Sequence, residues 1–130
     1  GQLEVLEDRV EKRRFVYGFY KRELSSIQEI NFLEELPDFF SNRWLTTILI
    51  SKDSVINRED IRLRLLNENI ECRPLWKPMH LQPVFKNYKA FNNGISEDLF
   101  NRGLCLPSGS NLSNDDLKRI VNIIKSLYEK

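Results

Sequence analysis

The densest chemistry in this chain lies in residues 73–83, RPLWKPMHLQP, which gather an arginine, a tryptophan, a lysine and the only histidine, His80. Three of the five prolines fall in the same stretch. Each proline fixes its own φ and drives the preceding residue away from helical geometry, so the segment reads as a stiff, extended path. Such a path displays Arg73, Trp76, Lys77 and His80 at set positions. It serves either as a packed surface crossing or as one wall of a binding site, and the residues alone leave both open.

Catalytic patterns are absent around it. No Ser or Cys nucleophile stands at a recognised spacing from His80, and GxSxG does not occur. The five glycines form neither GxGxxG nor GxxxxGK[ST], so there is no phosphate-cradling loop of known type. Asp115 and Asp116 form a carboxylate pair, but the start of a helix gives them a structural task. Cys72 and Cys105 are expected in strands with no CxxC partner and no second histidine, which argues against zinc. Two buried thiols are the simpler reading, with a bridge left open. The chain offers polar groups for recognition and no complete catalytic constellation.

The elements that must carry these residues are legible from periodicity. Leu3, Leu6, Val10, Arg13, Tyr17, Tyr20 and Leu24, spaced three and four apart, predict an amphipathic helix of about 25 residues. The cluster from Glu11 to Arg14 is read as its solvated face. Residues 43–50, rich in β-branched and aromatic side chains, predict a strand. Asn57 with Asp60 begins a second helix, with Ile56 stapling onto Ile61 and Leu65 and Leu66 on its buried side. Residues 70–73 predict a short strand into the proline-rich loop. Ser96 is expected to cap a brief helix ending at Arg102, with Gly103 as its left-handed stop. Leu104, Cys105 and Leu106 form a third strand. Ser113 and Asp116 make a capping box for a last helix with Leu117, Ile120, Val121, Ile124, Leu127 and Tyr128 on one stripe.

This order predicts a single α+β domain over residues 1–130: a small antiparallel sheet of about three strands, packed with a long first helix and two or three others. At 130 residues, 41% hydrophobic and 30% charged, the composition is that of an ordinary globule. A net charge of +1 gives no field to draw the chain to nucleic acid or an anionic membrane. The apolar run at 45–50 is far too short to span a bilayer. Nothing at the amino end reads as a secretory signal, so a cytoplasmic location is expected.

Three stretches together resemble one family. GQLEVLEDRVEKRRFVYGFY resembles the helix joining large and small domains in the DegT/DnrJ/EryC1/StrS aminotransferases, the pyridoxal-phosphate-dependent sugar aminotransferases of the aspartate aminotransferase fold type. RPLWKPMHLQPVFK resembles the family's loop after the small-domain helix. RGLCLPSGSNLSNDDLKRIVNIIK resembles its closing block, where a strand and turn precede the last helix. The likeness spans residues 2–128. Whole enzymes of the family are about three times as long, so the resemblance implies a small domain without its large partner.

In such enzymes the Schiff-base lysine and the cofactor-binding groups belong to the large domain. The resemblance therefore implies no catalytic and no cofactor-binding residue here, no bound cofactor and no activity for the piece alone. The parent would carry pyridoxal phosphate, act as a homodimer, and move an amino group, commonly from glutamate, to a nucleotide-linked keto sugar for cell-surface polysaccharides or glycosides. By the same resemblance the loop at 73–83 would border the substrate cleft. Arg73 or Lys77 would face phosphate oxygens, Trp76 would line the sugar or base pocket, and His80 would bond the sugar or orient a neighbour. Core packing is the plainer expectation for Trp76. A stand-alone small-molecule binding module without catalytic activity is the alternative.

Overall fold

The computed structural model describes residues 1–129, with nothing to be said of the Gln2 side chain. A 3-10 turn at Gln2–Val5 leads into α1 (Leu6–Leu24). The α-helical register is thus 19 residues and not about 25, because the first turn, Gln2–Val5, is wound as 3-10. Four strands follow: β1 (Ile30–Phe32), β2 (Thr46–Ile50), β3 (Arg73–Pro74) and β4 (Gly103–Leu106). They are interleaved with α2 (Arg58–Leu66), α3 (Ile95–Arg102) and α4 (Asn114–Lys125). The sheet order is β1-β2-β4-β3, antiparallel throughout. The α+β class holds, with four strands in place of about three.

Each departure from the sequence reading has a local cause. Strand β1 has three residues, too few for an alternation to show. Strand β2 begins at Thr46, not at residue 43, because Arg43 sits at φ 49. Strand β3 is Arg73–Pro74, paired to Cys105 and Leu104, and Ile70 to Cys72 lie outside the ladder. Pro74 fits there because β3 is an edge strand. Helix α3 starts at Ile95 after Gly94, which adopts φ 78, so Ser96 is not its cap. Both capping boxes form as expected, Asn57 with Asp60 and Ser113 with Asp116.

One sheet face packs on α1, α2 and α4. Ile48, Ile50, Leu104 and Leu106 join Tyr20, Leu24, Ile61, Leu65, Leu117 and Ile124 in a continuous core. Full burial of such aliphatic side chains stabilises by about 1.5–3 kcal/mol each. Leu66, expected inside, is 47% exposed. Tyr20 is fully buried and its hydroxyl donates to the Pro107 carbonyl at 2.9 Å, tying α1 to the end of β4. Helix α3 packs against β2 and β4.

The basic cluster on α1 is not simply solvated. Arg13 donates to the carbonyls of Trp44 and, at 3.2 Å, Ser108. Arg14 forks onto Glu35 at 3.0 and 3.1 Å and donates to the Ser41 carbonyl at 2.5 Å. Arg43 lies 3.8 Å over the Tyr17 ring, and both donate to the Leu33 carbonyl. These bonds close residues 33–43 into a loop fastened to α1. The Arg14 fork, helped by the Ser41 amide, holds Glu35 at about 2, below the ordinary 4.5.

Gly103 opens β4, at φ −91 and ψ 141, so it is no left-handed stop. Glycine is required for space: a Cβ would lie 2.1 Å from Leu75 Cδ1 and 2.6 Å from the Leu99 carbonyl oxygen. Gly103→Ala is expected to lower unfolding stability by about 2 kcal/mol in urea titration, since the Leu99 backbone can make room only by shifting α3. Gly18→Ala, with nothing within 4 Å of its Cβ on an exposed turn of α1, should instead stabilise by about 0.5–1 kcal/mol. Acidification tests the Glu35 fastening. A carboxylate depressed by folding stabilises above its ordinary range and loses that contribution as pH falls from about 4.5 to about 2. The urea midpoint of the wild type should therefore exceed that of Glu35→Gln by a constant margin above the ordinary range, and the margin should close on approach to the lower value.

Candidate functional site

On the sheet face away from the main core lies a groove of about 700 Å³, among whose walls are Trp44, Arg73, Leu75, Trp76, Phe100 and Cys105. Strand alternation creates it: Leu104 and Leu106 point into the core, so Cys105 between them points the other way. Strand β3 pairs Arg73 with Cys105, which sets the guanidinium beside the groove. Phe100 enters from α3. Trp44 and Trp76 meet across it, ring centroids 6.1 Å apart and tilted by 35°. They are 60% and 66% exposed, so Trp76 is not a core residue. Two large indoles left at a groove mouth form an apolar wall that solvent alone does not explain.

The four residues singled out in the sequence divide two and two. Arg73 and Trp76 line the groove; Lys77 and His80 do not. Arg73 is exposed and its guanidinium is occupied by Glu71, at 2.8 Å from Nε and 2.7 Å from Nη2. An exposed pair of this kind is worth little and yields easily to a stronger anion. Lys77 is exposed; its carbonyl accepts from Gln82 Nε2 at 3.1 Å. The imidazole of His80 sits on α3, Nε2 at 2.7 Å from Glu97 Oε1. At the next residue of α3, Arg102 and then Lys52 hold Asp98 at about 2, while Arg102 donates to the Ile50 carbonyl at 2.7 Å. Helix α3 is thereby moored to β2.

Trp44 and Phe100 were missed as groove residues. Trp44 stood inside a run that read as strand, and Phe100 on a helix with no buried residue. Aromatic side chains exposed beside an Arg-Pro strand are the signal that would have found them.

Neither thiol is poised for chemistry. Cys72 and Cys105 are free and buried. Burial pushes Cys72 up to about 11 and raises Cys105 as well, so both are thiols near neutrality. Cys72 lies just ahead of β3, not in a strand. Among the described residues no group of His, Cys, Asp or Glu is arranged to hold a metal, and no helix is long and apolar enough to cross a membrane. Nor do the lysines suit pyridoxal phosphate, whose aldehyde needs an amine in a desolvated pocket. No described lysine is buried. Lys12, Lys21, Lys52, Lys118 and Lys125 each pair with a carboxylate.

The chain and its fold have relatives among known proteins. The model of the DegT/DnrJ/EryC1/StrS aminotransferase family matches residues 1–125. EpsN of Bacillus subtilis (strain 168), a candidate pyridoxal phosphate-dependent aminotransferase, is 44% identical over 98% of the chain and 34% of its own length. The GDP-perosamine synthase of Escherichia coli O157:H7 is 32% identical over 98% of the chain and 34% of its length. A DegT DnrJ EryC1 StrS aminotransferase from Brucella abortus, 27% identical, superposes with a TM-score of 0.81 over 98% of this chain and 33% of that one. The chain thus spans about one third of the length of these relatives. Fold and sequence agree, and the chain belongs to the DegT/DnrJ/EryC1/StrS aminotransferase family.

Proposed function

We propose that residues 1–130 act as the small domain of a pyridoxal-phosphate-dependent aminotransferase that aminates nucleotide-linked keto sugars for cell-surface polysaccharides. The observation that carries this reading is the two-tryptophan groove edged by Arg73, in a chain that matches the family over residues 1–125. The likeness to a GDP-perosamine synthase supports a nucleotide-linked sugar as the substrate class. When bound, the cofactor supplies the electron sink for amino transfer. The residues of this chain do not hold it, and the anchoring lysine belongs to a large domain outside it. The chain alone is therefore inactive, and the working enzyme is a cytoplasmic homodimer taking its amino group from glutamate.

In this reading the chain's own side chains bind and orient. Trp76, with Trp44 behind it, stacks on the sugar or base and keeps water from that face. Arg73 turns from Glu71 to a phosphate oxygen, the fork exchanging one carboxylate for a more highly charged anion. Lys77, next in the chain after Trp76, adds a point charge at the cleft rim. His80, outside the groove with Nε2 on Glu97, orients its neighbours at the cleft rim.

Two measurements test this. Borohydride reduction of the full-length protein with pyridoxal phosphate, followed by mass spectrometry, should place one adduct on a lysine outside residues 1–130. A single stoichiometric adduct within them would refute the assignment. In the same protein, Trp76→Ala should raise KM for the nucleotide sugar about tenfold, with kcat changed far less, as loss of a stacking wall predicts. An unaltered KM would remove the groove from the substrate path.

A further inference from the structure

Between the groove wall at Trp76 and the start of α3 runs a stretch whose attachment to the rest of the molecule is sparse. Not one of residues 77–93 is buried. Their backbone bonds are all local: Leu81 to Pro78, Gln82 to Met79, Phe85 to Gln82, Lys86 to Pro83 and Tyr88 to Phe85. Their aromatic contacts are internal too, Phe85 with Tyr88 at 6.3 Å and Lys89 over Phe91 at 5.0 Å. Pro78 and Pro83 open two short 3-10 turns, so the first half is stiff within itself. Among the described residues, two hydrogen bonds leave the stretch: Ile95 N–H to Asn93 Oδ1 at 3.2 Å, across its Gly94 end, and, well beyond that end, His80 Nε2 to Glu97 Oε1 at 2.7 Å. The far end is Gly94, at φ 78 with nothing within 4 Å of where a Cβ would stand; its carbonyl accepts from Asp98 N–H at 3.0 Å, and a glycine there keeps wide backbone freedom once such exposed bonds open.

We propose that residues 77–93 form a hinged strap beside the groove, joined to its walls through Trp76 and α3, pivoting at Gly94 and latched by the one hydrogen bond it makes beyond that hinge, between His80 and Glu97. A segment with no buried side chain opens at low cost, because local opening exposes little apolar surface. One hydrogen bond between half-exposed partners then sets most of the difference between shut and open. Both ends of the strap belong to groove walls, Trp76 before it and the helix carrying Phe100 after it. Opening loosens that wall while the sheet, held by β2 and β4, stays intact. Glu97 is thus a positioning residue that acts through His80. The inference stands on attachment alone and does not depend on the reaction assigned above.

Hydrogen exchange in the full-length protein, read by mass spectrometry, tests it. His80→Ala and Glu97→Ala should each speed exchange in residues 77–93 about fivefold. The double variant should add less than about twofold, since either change breaks the same contact. Glu97→Gln keeps an acceptor oxygen within reach of Nε2 and should remain within about twofold of the wild type. Exchange in β4 should not move. Unchanged exchange in either alanine variant, multiplying effects in the double, loss of protection in Glu97→Gln, or acceleration spreading into β4 would each overturn the latch. A measurement without variants guards against misfolding. Within this chain, brief trypsin treatment of the wild type should cut first after Lys86 or Lys89. First cleavage at any other lysine or arginine of the chain would overturn the strap itself.

Discussion

The arrangement depends on a missing side chain. At position 103 the Leu75 side chain and the Leu99 carbonyl close to within 2.6 Å of where a Cβ would stand. That contact lets the segment after β3 and the last turn of α3 converge on the start of β4. From it follow the pairing of Arg73 with Cys105 and the approach of Phe100 to the sheet. A larger residue would push α3 outward, and the groove would lose a wall before the core lost a contact. The groove is therefore a product of backbone packing, more than of the side chains that decorate it.

The two faces of the sheet are held by different physics. On one, Ile48, Ile50, Leu104 and Leu106 are buried against three helices, and hydrophobic burial dominates. On the other, α3 and the loops are held by charged forks and carbonyl acceptors. Arg102 spans Asp98 and the Ile50 carbonyl, and Arg13 reaches the Trp44 and Ser108 carbonyls. Such bonds fix geometry with less buried area, which leaves apolar surface at Trp44 and Trp76 available for something else to cover.

Legibility followed the length scale of each signal. Helix α4 was readable because its apolar positions repeat over three turns and both members of its capping box are local. Helix α2 was readable for the same reason, down to Asn57 and Asp60. Strand β1 and the true start of β2 were not, because a three-residue strand and a left-handed Arg43 leave no periodic trace. Gly103 drew the wrong explanation: its neighbours at Leu75 and Leu99 are set by tertiary packing, which a window of sequence does not contain. Of the site, residues 73–76 were visible as an Arg-Pro-aromatic path. Trp44, far earlier in the chain, joins them only through the sheet. His80 was conspicuous as the lone imidazole, yet its partner Glu97 sits 17 residues on, across the strap.

The Trp44–Trp76 contact carries a spectroscopic consequence. These are the only tryptophans in the chain, both largely solvated and 6.1 Å apart. All indole emission from these 130 residues therefore originates at one spot, where quenching by added solute reports directly on whether anything has covered the groove.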